Sequence, residues 1–160
     1  MSRKFYIIFN MELEKDFNPL ALENQLCFSL YVCSKEIIRK YQPLLEPLGL
    51  TYTMYITLLS LWEKDNVSVK ELGKTLFLDS GTLTPVLKKM EKQSLITRVR
   101  QTADERNVYV CLTKDGKAMR KKCLEIPQKM ACTNILDLQK APKLLMTLHE
   151  IMQKIADEKN

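Results

Sequence analysis

The spacing of apolar residues predicts a long helix near each end of the chain. Between Leu22 and Tyr41, apolar side chains recur at intervals of three and four, which places them on one face of an α-helix. Pro43 and Pro47 are expected to end this helix. A last amphipathic helix is predicted from about Leu136 to Ile155. Its apolar face includes Leu138, Leu145, Leu148, Met152 and Ile155.

The first predicted helix is apolar on more than one side between Cys27 and Cys33, where the sequence reads CFSLYVC. Packing against a single core covers only one side of a helix. We therefore expect this part of the helix to be buried in a dimer.

Two shorter helices are predicted in the centre of the chain. Thr51 is a favourable N-cap residue, and the largely apolar run after it predicts a helix through Trp62. Ser68 and Glu71 have the spacing of a capping box, in which each side chain accepts a hydrogen bond from the backbone of the other residue. The helix that they start should end near Phe77.

A third central helix is predicted from Thr82 to Gln93. Asp79 and Ser80 are residue types that cap helices, and Gly81 eases the turn before it. Pro85 is compatible with this helix because it lies in the first turn, where its missing N–H leaves no hydrogen bond unmade. The three central helices together predict a compact triangle.

Two short β-type runs follow, from Leu95 to Arg100 and from Val108 to Leu112. The polar sequence between them, QTADERN at residues 101–107, is expected to form the tip of a hairpin. A hairpin directly after a helical triangle is the arrangement of a wing.

The order of these elements indicates a mainly α (α+β) fold, a winged helix-turn-helix with added N- and C-terminal dimerisation helices. Thr113 should cap a helix from Lys114 to about Ile126, and Pro127 should kink or break it. We interpret the chain as a single domain, residues 1–160, with a DNA-binding part at 50–113, dimerisation helices at 20–48 and 114–157, and a peripheral segment at 1–19. Whether residues 1–10 belong to the native protein is left open, because Met11 is an alternative start.

The positive charge of the chain lies in its central segment. Residues 66–123 contain 13 lysines and arginines against 6 acidic residues, whereas the other residues contain 12 against 13. A basic excess confined to one segment indicates a phosphate-binding face rather than a generally basic protein.

Composition excludes several classes of protein. No segment is long and apolar enough to span a membrane, and the N-terminal FYIIF run is too short for a signal peptide, so a cytoplasmic location is expected. Five cysteines in a reducing compartment are not expected to form structural disulfides. With a single histidine and no CxxC pair, a metal site is not predicted, and no motif indicates a cofactor or an enzyme.

The predicted recognition helix and wing carry the candidate DNA contacts. Residues at the start of such a helix meet base edges in the major groove, lysines further along it meet phosphates, and a basic residue near the wing tip suits the minor groove. Asp104 is expected to hold the Arg106 guanidinium in place. The candidate DNA-binding residues are Ser80, Thr82, Thr84, Pro85, Lys88, Lys89, Lys92, Arg98, Arg100, Asp104 and Arg106.

The sequence resembles the MarR family of bacterial winged-helix regulators, and within it the OhrR branch of organic hydroperoxide sensors. The wing sequence DER, at Asp104 to Arg106, resembles the Asp-x-Arg signature of the family. The resemblance covers roughly residues 20–155. The segments that carry it are LENQLCFSLY at 22–31, LTYTMY at 50–55, LDSGTLTPVLKKME at 78–91, LITR at 95–98 and DERNV at 104–108.

Cys27 differs from the other cysteines in its setting. It lies near the start of a predicted helix, where backbone N–H groups favour a thiolate, and phenol donors would add to that effect. The resemblance to OhrR proteins implies that Cys27 is the residue that reacts with peroxide, with Tyr41 and Tyr52 hydrogen-bonded to it. Tyr31 is a weaker candidate for the same pocket.

The resemblance also implies a second thiol. In two-Cys OhrR proteins the resolving cysteine follows an Ile/Val-Pro pair after the wing, and here Cys132 follows Pro127 by five residues. The implied product is a disulfide between Cys27 and Cys132 of different subunits. Cys123 is the runner-up, on a helix face roughly opposite to that of Cys132. Cys33 and Cys111 are expected to be small buried hydrophobic residues.

The predicted function is that of a homodimeric, redox-sensing repressor. The reduced protein would bind an inverted repeat in double-stranded DNA and release it when an organic hydroperoxide oxidises Cys27. Three alternatives remain open at this point: a repressor released by a small phenolic ligand, a thiol peroxidase and a non-specific architectural DNA binder. A broader regulator of stress and virulence genes could use the same Cys27 switch, and one-Cys chemistry with a small cellular thiol is also left open.

Overall fold

The computed structural model describes residues 18–101, 104–133, 135, 137 and 139–158, apart from the side chains of 101 and 104–107. The chain divides into two compact units, residues 1–37 and 38–160. The helices are α1 (Leu26–Leu45), α2 (Tyr52–Glu63), α3 (Val69–Leu76), α4 (Ser80–Lys92), α5 (Lys114–Cys123), α6 (Ile126–Ala131) and α7 (Ala141–Asp157). The strands are β1 (Val67–Ser68), β2 (Ile96–Gln101) and β3 (Asp104–Leu112).

Helix α1 begins and ends four residues later than the sequence predicts. Residues 22–24 form a separate turn of 3₁₀-helix, and α1 itself begins at Leu26. Pro43 does not end the helix, which continues to Leu45. The reason is its position: Pro43 is exposed in the last turn, where the loss of one backbone donor costs little. Pro47 opens the next 3₁₀ turn, residues 46–48.

The caps of the central helices are those that the sequence predicts. The Thr51 side chain accepts a hydrogen bond from the Met54 backbone N–H at 3.3 Å. Ser68 and Glu71 form the complete capping box. Thr113 accepts from the Gly116 backbone N–H at 3.0 Å and so starts α5. These caps place α2, α3 and α5 within a residue or so of their predicted starts.

Tight turns fix α4 on both sides. At the end of α3, Phe77 adopts a left-handed conformation (φ 54°), and the Leu78 backbone N–H donates back to the Gly73 carbonyl at 2.9 Å. At the end of α4, Ser94 does the same (φ 56°), and Leu95 donates to Met90 at 3.0 Å. This is the Schellman arrangement, which satisfies the last carbonyls of a helix and reverses the chain.

A close backbone approach explains the glycine in the middle of α3. A Cβ atom on Gly73 would lie 2.8 Å from the Leu78 carbonyl oxygen, the atom just after the turn. Only glycine allows α3 to end this close to the start of α4.

The core lies in the central part of the chain. Its fully buried side chains come from α2, α3, α4 and the sheet, with Leu45, Cys123 and Ile126 at its margins. Leu83, Leu87 and Met90 are all at most 1% exposed and place one face of α4 against this core. The opposite face of α4 is therefore turned to solvent.

The sheet has three antiparallel strands in the order β1-β3-β2. The sequence predicts β2 and the second half of β3 but misses the two-residue strand β1. The expected tip at residues 101–107 is too long, because β3 already begins at Asp104 and pairs with Gln101. Residues 102 and 103, between the strands, lie outside the described part of the chain.

The C-terminal helices confirm the break near Pro127. Helix α5 ends at Cys123, and α6 begins at Ile126 with Pro127 in its first turn. Helix α7 begins at Ala141, five residues later than predicted, with Pro142 in its first turn. Leu138, assigned to its apolar face from the sequence, lies outside the described residues. None of the residues of α7 is buried.

Among the described residues, no single helix is long and apolar enough to cross a bilayer. A bent pair of helices, formed by residues 26–48 and 52–63, meets that test by length and composition alone.

Candidate DNA-binding surface and thiol sites

The start of α4 is held by Asp79. One Asp79 carboxylate oxygen accepts from the Thr82 backbone N–H and the other from the Thr82 hydroxyl, both at 2.8 Å. These hydrogen bonds, led by the one from the Thr82 backbone, hold the pKa of Asp79 below its usual value. Because the Thr82 hydroxyl already donates to Asp79, it offers DNA an acceptor and a methyl group but no donor.

Most of the other predicted contacts on α4 are exposed. Ser80 and Pro85 are exposed at the start of the helix, and Thr84 is half-buried. The three lysines Lys88, Lys89 and Lys92 are exposed further along. An α4 that buries its leucines and exposes hydroxyls and lysines presents a polar, basic face to a partner.

Arg98 is placed differently from the expectation that it serves DNA directly. Its Nε and Nη2 atoms both donate to one carboxylate oxygen of Glu91, at 3.0 and 2.6 Å. The positive charge of Arg98 is thus already paired with an acidic residue of α4. Arg100, two residues further along β2, is exposed.

Two predicted wing residues cannot be compared with the structure. Asp104 and Arg106 lie in strand β3, but their side chains are outside the described residues. Their assignment as DNA contacts, and the support of Arg106 by Asp104, stay predictions.

Two clefts lie beside α4. The larger, about 1070 Å³, is lined by α3, α4, the wing and Ala156 of α7, and includes Phe77, Thr84 and Arg98. The smaller, about 470 Å³, includes Tyr52 and Lys89. Clefts of this size can accommodate a small molecule.

The five thiols occupy different environments. Cys27 is the second residue of α1 and is exposed, and Cys132 is exposed at the end of α6. Cys123 is buried, with 3% of its surface exposed, and burial raises the pKa of its thiol. The expectation that Cys33 is buried is wrong for the single chain, in which this residue is exposed.

Cys111 is half-buried, near the end of β3. Its Sγ atom lies 3.2 Å from the Asn66 side-chain oxygen, to which it donates a weak hydrogen bond. Burial is the main reason that the pKa of this thiol is raised. Cys111 therefore resembles a structural thiol more than a reactive one.

The two tyrosines expected at the sensor lie together in the second unit. The rings of Tyr41 and Tyr52 have centroids 5.0 Å apart. Burial raises the pKa of both phenols, and for Tyr41 the neighbouring Tyr52 adds to the effect. Both side chains are therefore neutral phenols at neutral pH and can donate a hydrogen bond to a thiolate.

Sequence reasoning missed a third member of this cluster. The Tyr55 ring lies 5.9 Å from the Tyr41 ring, and burial, followed by Tyr41, Cys123 and Tyr52, raises the pKa of Tyr55 to about 12. Its spacing from Tyr52, one helical turn along α2, is the signal that could have identified it.

No group of three His, Cys, Asp or Glu side chains in the described residues is placed to hold a metal ion.

Comparison with known proteins identifies the family of this chain. Residues 39–123 match the family described as transcriptional regulator SarA/Rot. The organic hydroperoxide resistance transcriptional regulator of Bacillus subtilis is 46% identical over 145 residues, which are 86% of this chain and 99% of that protein. The regulator SarZ of Staphylococcus aureus is 42% identical over 136 residues, covering 85% and 92% of the two chains.

Solved structures agree with this relationship. Reduced AbfR bound to DNA has a TM-score of 0.74 at 30% identity and covers 87% of this chain and 95% of its own. A disulfide form of AbfR has a TM-score of 0.60 at 34% identity, covering 82% and 92%. These matches confirm the winged-helix fold that the element order predicts. The chain belongs to the MarR family of winged-helix transcription regulators, in the OhrR branch.

Proposed function

We propose that this protein is a dimeric repressor that binds operator DNA when reduced and releases it when an organic hydroperoxide oxidises Cys27. The observation that carries the proposal is the placement of Cys27, exposed in the first turn of a 20-residue helix. Backbone N–H groups in the first turn of a helix stabilise a thiolate, which is the form that attacks peroxide. The regulator of Bacillus subtilis named for organic hydroperoxide resistance supports the choice of oxidant.

DNA is the proposed partner of the α4 face. Exposed Lys88 and Lys89 provide phosphate contacts, and Ser80 and Pro85 are exposed where a recognition helix meets base edges. The DNA-bound form of AbfR supports this assignment. In a two-fold dimer the two α4 helices would enter successive major grooves of an inverted repeat.

The terminal helices are the basis for proposing that a second copy of the chain binds to the first. Half or more of the surface of Leu26 and Leu145 is exposed, at 53% and 54%, and Met146 is 65% exposed. Apolar side chains concentrated on two helices with almost no buried residues indicate an interface. We propose that α1 and α7 of two chains cover one another.

The tyrosine donors are proposed to come from the partner chain. Cys27 and Tyr41 are fourteen residues apart in the sequence, and fourteen residues of any α-helix span roughly 20 Å. A phenol at that distance cannot reach a thiolate on its own helix. In the dimer, Tyr41 and Tyr52 of one chain would donate to Cys27 of the other.

The proposed chemistry has two steps. The Cys27 thiolate attacks the peroxide and takes one oxygen atom, forming sulfenic acid, while the O–O bond breaks and the alkoxide leaves as an alcohol after taking a proton. The Cys132 thiolate of the partner then attacks the Cys27 sulfur. An S–S bond forms, the S–O bond breaks, and the hydroxide leaves and takes a proton from solvent to become water.

Burial favours Cys132 over Cys123 as the resolving thiol. Cys132 is exposed, whereas Cys123 is 3% exposed and its thiol is kept protonated by burial. Thiol–disulfide chemistry requires both access and a thiolate. The prediction that Cys123 and Cys132 lie on opposite faces of one helix is wrong. Helix α5 ends at Cys123, and Cys132 follows the last residue of a separate helix, α6.

The disulfide form of AbfR supports disulfide chemistry as the signal. Reversing a 99:1 preference for the DNA-binding state requires about 5.5 kcal/mol of difference between the two states, which a covalent bond can supply. Linking two chains through helices outside the DNA-binding unit would change the spacing of the two α4 helices, and phosphate contacts would lose register.

A gel-shift experiment tests the proposal. Reduced wild-type protein is titrated into a duplex that it has selected from a random-sequence pool, with and without cumene hydroperoxide. We expect the wild type to lose binding after peroxide and the Cys27→Ser variant to keep it. Equal sensitivity of both would contradict the role of Cys27, and failure to select any duplex would contradict specific DNA binding.

A ligand-released repressor is the second candidate, because the two clefts beside α4 can accommodate a small molecule. A variant with all five cysteines replaced by serine separates the two functions. Release of DNA by salicylate from that variant, with no response to peroxide, would favour the ligand function over the thiol switch.

A further inference from the structure

The carboxylate of Glu91 joins the recognition helix to the wing by three hydrogen bonds. Its Oε2 atom accepts from Nε and Nη2 of Arg98, and its Oε1 atom accepts from the Arg98 backbone N–H at 3.1 Å. Glu91 is the second-last residue of α4, and Arg98 is the third residue of β2. Both side chains are partly shielded, with 37% and 27% of their surface exposed.

The backbone contact is the unusual part of this arrangement. Strand β2 is an edge strand that pairs only with β3 in the described sheet. The outward backbone donors of an edge strand have no strand partner and normally face water. Glu91 satisfies one such donor and the guanidinium of the same residue, so a single carboxylate fixes both the backbone and the side chain of Arg98.

We propose that Glu91 is a positioning residue for DNA binding, which holds the wing at a fixed angle to the recognition helix through Arg98. The inference rests on the proposed DNA binding of α4 and the wing. Arg98 then acts as the wing's anchor and not as a phosphate ligand, and Arg100 remains as the exposed arginine of β2.

The turn between α4 and β2 does not by itself fix the angle between the wing and the recognition helix. The Schellman turn around Ser94 fixes the first residues after the helix, because Leu95 donates to the Met90 carbonyl at 3.0 Å. Beyond Val99 the hairpin has only two strands, and a two-stranded ribbon twists and bends easily. The Glu91 contact lies three residues after Leu95, at Arg98, one residue before the third strand ends.

Electrostatics alone predicts that a neutralising mutation of Glu91 would tighten DNA binding rather than weaken it. An acidic residue beside a DNA-binding surface repels phosphates, so its neutralisation normally tightens binding. Neutralisation would also free Arg98 for a phosphate. If Glu91 positions the wing, the Glu91→Gln substitution weakens binding instead, because an amide is a poorer partner for a guanidinium and the wing loses its anchor.

The experiment measures the affinity of reduced protein for the duplex that the wild type selects from a random-sequence pool, by fluorescence anisotropy at fixed salt. We expect Glu91→Gln and Arg98→Gln each to weaken binding about tenfold, and the double variant to bind no more weakly than either single variant. Tighter binding by Glu91→Gln, or multiplication of the two effects in the double variant, would overturn the inference.

Footprinting distinguishes positioning from loss of folded protein. Hydroxyl-radical protection in the minor groove at the outer ends of the site should disappear in Glu91→Gln, while methylation protection in the major groove remains. A variant that is merely less stable would lose both in proportion. Uniform loss of protection would therefore contradict the inference.

Glu125→Gln is the matched control. Glu125 also forms an ion pair with a basic side chain, that of Lys129, at 2.8 Å. This pair is exposed at α6 and does not involve the wing. Its neutralisation should leave the affinity within about twofold of wild type. If no duplex is selected by the wild type, the proposed function fails; if a duplex is bound and Glu91→Gln tightens binding, only the positioning role fails.

Discussion

The central part of the chain and its terminal helices differ in what a single copy provides. Among the described residues, the buried core extends from Leu45 to Ile126, and the face of α4 opposite the core is exposed. Helix α7 buries none of its residues, and α1 buries only its last, Leu45. The elements proposed to read DNA thus pack on the core of one chain, whereas the terminal helices are proposed to require a partner.

The thiols follow the same division. Cys123 belongs to the core, whereas Cys27 and Cys132 are exposed residues outside it. A switch whose reactive groups lie outside the core can change the association of two chains without unfolding either one. Each of the following predictions tests one side of this comparison.

The largest effect is expected for Gly116→Ala. A Cβ atom at this position would lie 2.0 Å from the Leu95 carbonyl oxygen, a backbone atom that cannot move without shifting the turn after α4. The backbone carbonyl of Gly116 also accepts the Trp62 indole N–H at 3.0 Å. We expect the free energy of unfolding to fall by about 4 kcal/mol in urea denaturation.

Gly81→Ala is the control for that substitution. Its Cβ atom would meet only the Asp79 side chain, at 3.0 Å, and alanine favours the helix that contains it. The free energy of unfolding should change by less than about 1 kcal/mol. Similar losses in both variants would show that α5 does not depend on the close approach to Leu95.

Native-state thiol labelling should separate the buried Cys123 from the exposed Cys132. Iodoacetamide is expected to modify Cys132 at least about a hundredfold faster than Cys123, because Cys123 reacts only when the core opens. Mass spectrometry of tryptic peptides gives both rates from one sample. Equal rates in folded protein, with equal rates in urea as the reference, would contradict the burial of Cys123.

A charge on α7 should weaken the dimer and leave the core intact. Leu145→Asp places a carboxylate on a side chain that is 54% exposed in one chain and is proposed to be covered in two. We expect the dimer dissociation constant to rise about thirtyfold, measured by analytical ultracentrifugation. Val99→Asp, at a wing residue that is 50% exposed, is the matched control and should leave the constant unchanged.

The smallest effect is expected for Ser94→Gly. Ser94 adopts a left-handed backbone conformation that costs a residue with a side chain more than it costs glycine. The substitution should raise the free energy of unfolding by about 0.5 to 1 kcal/mol. A decrease would mean that the Ser94 side chain contributes more than its backbone strain costs.

Local signals predicted most of the fold. N-caps at Thr51, Ser68 and Thr113 predicted where three helices begin, because a capping side chain must lie at a set distance from the first free N–H groups. Helix α4 begins at Ser80, directly after its cap Asp79 and two residues before the predicted Thr82, so Gly81 lies inside the helix. Strand β1 was missed since two residues give no periodic pattern, and it exists only because β3 pairs with it.

The candidate site was predicted less completely, for a physical reason. The residue types and positions of the α4 contacts follow from helical spacing, but the partners of a long side chain do not. Arg98 was expected to face DNA, and only the folded chain shows that its guanidinium forms an ion pair with Glu91. Tyr55 and the burial of Cys123 likewise depend on packing between α2 and the helices around it.

The central claim is that oxidation joins Cys27 of one chain to Cys132 of the other, and a mixed dimer tests it most directly. Chains carrying Cys27→Ser and chains carrying Cys132→Ser, with different tags, are combined, reduced and treated with cumene hydroperoxide. The account predicts a covalent heterodimer on non-reducing electrophoresis with a Cys27–Cys132 peptide by mass spectrometry, and no covalent dimer from either variant alone. A mixture that stays uncrosslinked, while the wild type forms a Cys27–Cys132 disulfide, would contradict it.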